Sequence, residues 1–157
     1  MSKNSFLIFL VVLISLSACD PNMVYDHFEN NKGQSWDSDD VKRFEVDIED
    51  NQSYYNVYVN IRHTKDYPKS NLYLFINIIG PEGNEIGDTI DLQIADKHGK
   101  WSGSGFGEIK FVRKKIKEGV RFAQKGKYIF EVGPGMRLQE IPVTDVGIRI
   151  EKFNPIK

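Results

Sequence analysis

Cysteine is nearly missing: the 157 residues hold one, Cys19. A single cysteine forms no intramolecular disulfide and supplies no cysteine-rich zinc site. Any domain built from this chain outside the cytoplasm is therefore expected to be held by its apolar core alone. Histidine is almost as scarce. The 3 histidines, His27, His63 and His98, lie far apart, and no HxxxH or HExxH spacing exists, so no metal site is read from them. The G-x-S-x-G elbow of serine hydrolases is absent. Charge of one sign is lacking too. The 21 Lys and Arg against 22 Asp and Glu give a formal net charge of −1, which argues against general nucleic-acid binding. Acidic residues are plentiful, but nothing in their order selects a pair for glycosidase-type chemistry. The residues assign no catalytic, cofactor-binding or metal-binding position and no small-molecule substrate. A long hydrophobic run is missing as well. The uncharged stretch from Asn4 to Cys19 makes a helix of about 24 Å, short of a hydrocarbon core of roughly 30 Å.

What is there begins at the N-terminus. Lys3 gives a positive start, Phe6 to Leu16 is apolar apart from Ser15, and the small residues Ser17 and Ala18 precede Cys19. This is the order of a secretory signal. Leu16-Ser17-Ala18-Cys19 resembles the lipobox of bacterial lipoproteins. In that family a diacylglyceryl group joins the cysteine sulfur, the preceding peptide bond is cut, and the new amine is acylated. The resemblance implies lipid attachment, palmitate among the acyl groups, at Cys19. Two or more chains make such an anchor stable, at about 0.8 kcal/mol per buried methylene. An ordinary secretory signal or a short membrane anchor are the other readings of the same stretch. The expected organisation is a signal peptide at 1–18, a lipidated cysteine and polar tether at 19–35, and a folded domain at 36–157. Asp20 to Ser35 is polar and rich in Asn, and fully extended it reaches about 50 Å.

Beyond the tether, period-two alternation dominates. Phe44, Val46 and Ile48 alternate with charged residues. Tyr55, Val57, Val59 and Ile61 share one face, while Asn56, Tyr58, Asn60 and Arg62 share the other. Leu72 to Ile79 is apolar on both faces and predicts a central strand buried on both sides. Ile90, Leu92 and Ile94 alternate, as do Tyr128, Phe130 and Val132, then Val146, Ile148 and Ile150. Gly80-Pro81-Glu82-Gly83-Asn84 and Gln124-Lys125-Gly126-Lys127 are turns. Seven or eight short strands with no convincing amphipathic helix predict an all-β fold. The expected architecture is an antiparallel β-sandwich of immunoglobulin-like or jelly-roll type, with a β-barrel as the alternative.

Several stretches invite a sharper chemistry and give it weak support. Asp37-Ser38-Asp39-Asp40 lacks the loop glycine and terminal glutamate of an EF-hand and reads as a solvated turn. Gly99 to Gly107 has glycine at 99, 103, 105 and 107 without a phosphate-loop pattern. It reads as a bulged approach to a strand, with Trp101 covering an end of the core. Arg113-Lys114-Lys115-Ile116-Lys117 is the basic cluster. It would touch anionic lipid or an acidic partner, or form the solvated tip of a hairpin, and the hairpin tip is the reading preferred. His63 is expected near the surface. Tyr54, Tyr58, Tyr73 and Phe75 fall opposite the main aliphatic faces. The preferred reading packs them against a second sheet. If exposed, they would form a patch suited to sugars or proteins.

A set of short motifs then acts together. They are the lipobox, Arg62-His63-Thr64, Tyr67-Pro68, Asn71-Leu72-Tyr73-Leu74 and Asp88-Thr89. Gly99-Lys100-Trp101 with Gly103, Gly126-Lys127-Tyr128, Met136-Arg137 and Val146-Gly147-Ile148-Arg149 complete it. In this order the chain resembles the GldH family, the gliding-motility lipoproteins of Bacteroidetes. The resemblance implies an outer-membrane lipoprotein needed for gliding, working alongside other gliding and type IX secretion proteins of the cell envelope. It implies no enzymatic activity and no cofactor, and the position it transfers is Cys19. A glycan- or cell-wall-binding sandwich is the alternative function.

Overall fold

The period-two stretches form strands, and so do some stretches that show no such period. The computed structural model describes residues 20–154. In chain order the strands are β1 (Met23–Asn30), β2 (Trp36–Asp37), β3 (Lys42–Ile48), β4 (Tyr54–Thr64) and β5 (Asn71–Ile79), then β6 (Glu85–Gln93), β7 (Ile109–Val120), β8 (Gly126–Pro134), β9 (Glu140–Ile141) and β10 (Val143–Phe153). A short 3-10 turn, Lys32–Gln34, follows β1, and no α-helix occurs among the described residues. One sheet has the order β1-β10-β4-β7 and the other β3-β8-β5-β6, with β2 and β9 as a small ribbon. Every pairing is antiparallel. The fold is the expected β-sandwich, and neither sheet closes into a barrel.

The alternating apolar residues meet between the sheets. Phe44, Val46 and Ile48 of β3, Leu72, Leu74 and Ile76 of β5, and Phe130 and Val132 of β8 face Tyr55 to Ile61 of β4 and Val146 to Ile150 of β10. Each fully buried side chain of this size contributes about 1.5–3 kcal/mol. At one end of the sandwich Phe122 closes the core, its ring 5.2 Å from Tyr55 and 4.7 Å from Tyr128. At the other end Trp36 is fully buried and donates its indole N–H to the Asp40 carbonyl at 2.8 Å.

Four sequence expectations are corrected here. The segment read as a tether contains β1, which pairs with β10 from Met23 to Asn30. Its polar outer side chains hide it from periodicity, because they are satisfied by ion pairs on the sheet face. The basic cluster lies inside β7, an edge strand paired to β4, where lysines keep the open edge from pairing with another chain. β5 is central in its sheet, but only its even-numbered residues are buried, and Tyr73 and Phe75 are exposed. His63 is fully buried, following the parity of β4. The Gly99–Gly107 stretch approaches a strand, as expected. A Cβ on Gly103 would lie 2.5 Å from the Phe111 carbonyl oxygen, and Ser104 and Phe111 exchange backbone hydrogen bonds.

Candidate functional site

The outer face of the β3-β8-β5-β6 sheet is built by register. With Leu72, Leu74 and Ile76 turned inward, Tyr73, Phe75 and Asn77 turn outward. Phe75 lies opposite Thr89 on one side and Gly133 on the other, and Asn77 opposite Gly87 and Glu131. The small neighbours leave the Phe75 ring standing clear, 56% exposed. Two depressions meet at it. One of about 1110 Å³ runs over Gly87, Gly133, Asn77 and Val41. The other, about 530 Å³, lies between Tyr73, Met136, Arg137 and Lys69, and both include Phe75 and Thr89.

A row of planar polar groups crosses the floor. Arg43 Nη1 donates to Glu131 Oε1 at 3.0 Å. Asn77 Nδ2 donates to Glu131 Oε2 at 3.2 Å and Glu85 Oε2 at 3.3 Å. The groove therefore joins flat apolar rings to fixed hydrogen-bonding edges, which suits a ligand with one apolar face and polar margins. Its two carboxylates are held on a common amide instead of facing each other across open space. Among the described residues no cluster of three or more His, Cys, Asp or Glu is placed to hold a metal ion.

The structure divides the aromatic residues singled out from sequence. Tyr73 and Phe75 share the groove. Tyr54 and Tyr58 belong to the other sheet, where Arg121 lies 5.8 Å from the Tyr54 ring and Arg113 5.8 Å from the Tyr58 ring. Asn77, Glu131 and Gly133 were not anticipated. They become neighbours of Phe75 only through the strand order, and no local motif marks them.

The opposite sheet carries a denser polar network. Arg149 of β10 is largely buried and is met by Glu151 at 2.5 Å, Asp26 at 2.6 Å and Asp20 at 2.5 Å. Burial works against its charge, but the hydrogen bonds it donates to Glu151 and Asp26 outweigh this and hold its pKa above the ordinary value. Asn60 bridges this cluster to Arg113. At the far end, three resemblance motifs separated in sequence converge. The His63 ring lies 5.7 Å from Tyr67 and 4.9 Å from Trp101. His63 Nδ1 bonds the Thr64 carbonyl at 2.9 Å, while Nε2 is buried without a protein partner. Cys19 and the signal peptide at 1–18 lie outside the described residues.

Comparison with known proteins agrees with this arrangement of motifs. The profile of the GldH lipoprotein family matches residues 23–150, opening on the first residue of β1. A protein of Christiangramia forsetii named gliding motility lipoprotein GldH homolog is 38% identical over 159 residues, covering 96% of this chain and 97% of that one. The gliding motility lipoprotein GldH of Flavobacterium johnsoniae is 35% identical over 158 residues, with the same coverage of 96% and 97%. Among solved structures, a chain of the infectious bursal disease virus Gx strain aligns with a TM-score of 0.36 and 12% identity, over 87% of this chain and 31% of that one, too distant to bear on function. The match spans β1 to β9, most of β10 and the buried core, and the chain belongs to the GldH family of gliding-motility lipoproteins.

Proposed function

We propose that the chain is a cell-envelope protein required for gliding motility, anchored in the outer membrane by lipid on Cys19. It acts without catalysis, as an interaction component alongside other gliding and type IX secretion proteins. The observation that carries the reading is the Phe75 groove: an exposed aromatic surface on a rigid sheet, whose polar groups are already paired with one another and so stand ready to align a partner. Exposed aromatics bordered by polar groups are typical of recognition surfaces. Family membership supports the motility setting. The test is Phe75→Glu in the full chain, expressed in cells lacking the native gene. Colony spreading should be lost and envelope crosslinks should disappear at unchanged protein abundance. Normal spreading with an intact crosslink pattern would exclude the groove as the contact surface.

The same groove supports the second reading, a glycan or cell-wall polymer ligand, through one feature. Asn77, Glu85 and Glu131 offer planar hydrogen-bonding edges beside the rings of Tyr73 and Phe75. Retention of the protein on isolated cell-wall polysaccharide, lost in Asn77→Ala while protein crosslinks persist, would select it.

A further inference from the structure

We infer that the end of the sandwich where β1 begins seats directly on the lipid headgroup layer. This rests on acylation of Cys19. Asp20 is the next residue, so its Cα lies about 3.8 Å from that of the acylated cysteine. Asp20 is tightly held. Its Oδ2 takes a hydrogen bond from Arg149 Nη2 at 2.5 Å, and its carbonyl accepts from the Met23 amide at 3.2 Å. The Asn22 carbonyl accepts from the Lys152 amide at 2.8 Å. Arg149 is in turn fixed by Asp26 and Glu151. No spacer therefore separates the lipid from the sheet. Each headgroup layer is about 5–8 Å deep, the difference between the whole bilayer and its hydrocarbon core shared between two sides. One residue spans less than that depth, so the protein surface around Asp20 enters the layer.

The side chains at this end fit such a surface. Met23, Val24 and Tyr54 are among the exposed large hydrophobic residues. Met23 pairs opposite Glu151 and Tyr54 opposite Phe153, so they flank the last residues of β10 from either side. Tyrosine is favoured at membrane–water interfaces because its ring is apolar and its hydroxyl wet. Arg121 stands over Tyr54, and Lys152, opposite Tyr55, reaches Asp50, which places two cations at the end that would meet lipid phosphates. The same end holds an apolar depression of about 420 Å³ lined by Ile86, Val120 and Phe122, with Lys117 and Arg121 among its walls. Phe106, the most exposed large hydrophobic residue among the described residues, lies in the β6–β7 connection at the opposite end and is kept out of the bilayer in this orientation.

The experiment uses the lipidated full chain in vesicles of phosphatidylethanolamine and phosphatidylglycerol containing brominated acyl chains. Intact mass first establishes acylation. An unacylated Cys19 would refute the anchoring reading itself. In the acylated protein, the emission added by Tyr54→Trp should fall by about half, since interfacial side chains sit about 5–10 Å deep. That added by Phe106→Trp should be unchanged. Acylated protein with an unquenched Tyr54→Trp signal would overturn the seating. A flexible glycine-serine insertion between Cys19 and Asp20 should restore the Tyr54→Trp emission. Quenching that persists in the insertion variant would show that the missing spacer is not what enforces contact.

Discussion

His63 sits between Tyr67 and Trp101 with no solvent contact. Burial pushes its pKa down, the Thr64 carbonyl partly offsets this, and Lys110 adds to the depression. The sign follows from linkage. The unfolded histidine titrates near pH ~6.5, and below that the unfolded chain binds a proton that the fold disfavours. Stability from this site is complete above about pH 6.5 and is lost as the pH falls toward the lowered folded value. Melting temperature is expected to drop between pH 7 and 5, and His63→Phe, which keeps the aromatic packing, should flatten that slope. Asp50 is displaced in the opposite sense of ionisation. Hydrogen bonds from Ser53, Gln52 and Lys152 hold its carboxyl well below the usual range, so its contribution fades only below about pH 4 and leaves the histidine window clean. An unchanged slope in His63→Phe would assign the acid sensitivity elsewhere. Residue-level reading went astray at His63 because it weighed polarity above parity. The alternation of Tyr55, Val57, Val59 and Ile61 carries straight on to position 63.

Elements with one apolar face were legible. The alternating apolar residues of β3, β4, β8 and β10 enter the core, and in β4 and β10 polar residues on the other face are buried as well. β1 was not legible, since its stabilisation comes from backbone pairing and from Asp26 and Asn30 meeting Arg149 and Asp145 across the ladder. None of these partners lies near it in sequence. β7 was misread for a related reason: charge at an open sheet edge looks like charge at a turn. Gly147 completes the docking of β1, since a Cβ there would lie 2.7 Å from the His27 carbonyl oxygen and 2.8 Å from the Phe28 ring. Arg149 holds this strand most directly. Arg149→Ala leaves Asp20, Asp26 and Glu151 close together without their cation. A loss of about 2–3 kcal/mol is expected, below the fully buried value because Asp20 is partly exposed. Amide exchange in β1 should accelerate before that in β4. A uniform rise in exchange over both strands would show that β1 does not open separately.

At the scale of the molecule, the sandwich was legible from strand number, turn spacing and the lack of helices. The groove was not. Phe75, Glu131 and Val41 lie on or beside three different strands, and only the order β3-β8-β5-β6 makes them one surface. Cys19 lies outside the described residues, and on the proposed anchoring Cys19→Ala is expected to leave an uncleaved, unlipidated precursor and to abolish motility. Metabolic acyl labelling and mobility on gels check it, and labelling that survives the substitution would remove the anchor at this position.

β1 is an edge strand that runs antiparallel to β10, and with Cys19 acylated as proposed it leads away from the lipid end. A pull between the membrane and a partner on the β-sandwich is therefore directed along the strand axis. β1 would have to slide past β10 with its ladder hydrogen bonds, the Asp26–Arg149 pair and the Asn30–Asp145 contact resisting together. Peeling, which would break them one after another, is not the geometry this attachment presents. With lipid on Cys19, as proposed, the load path would be in shear, and β1 would serve as a mechanical coupling between lipid and fold.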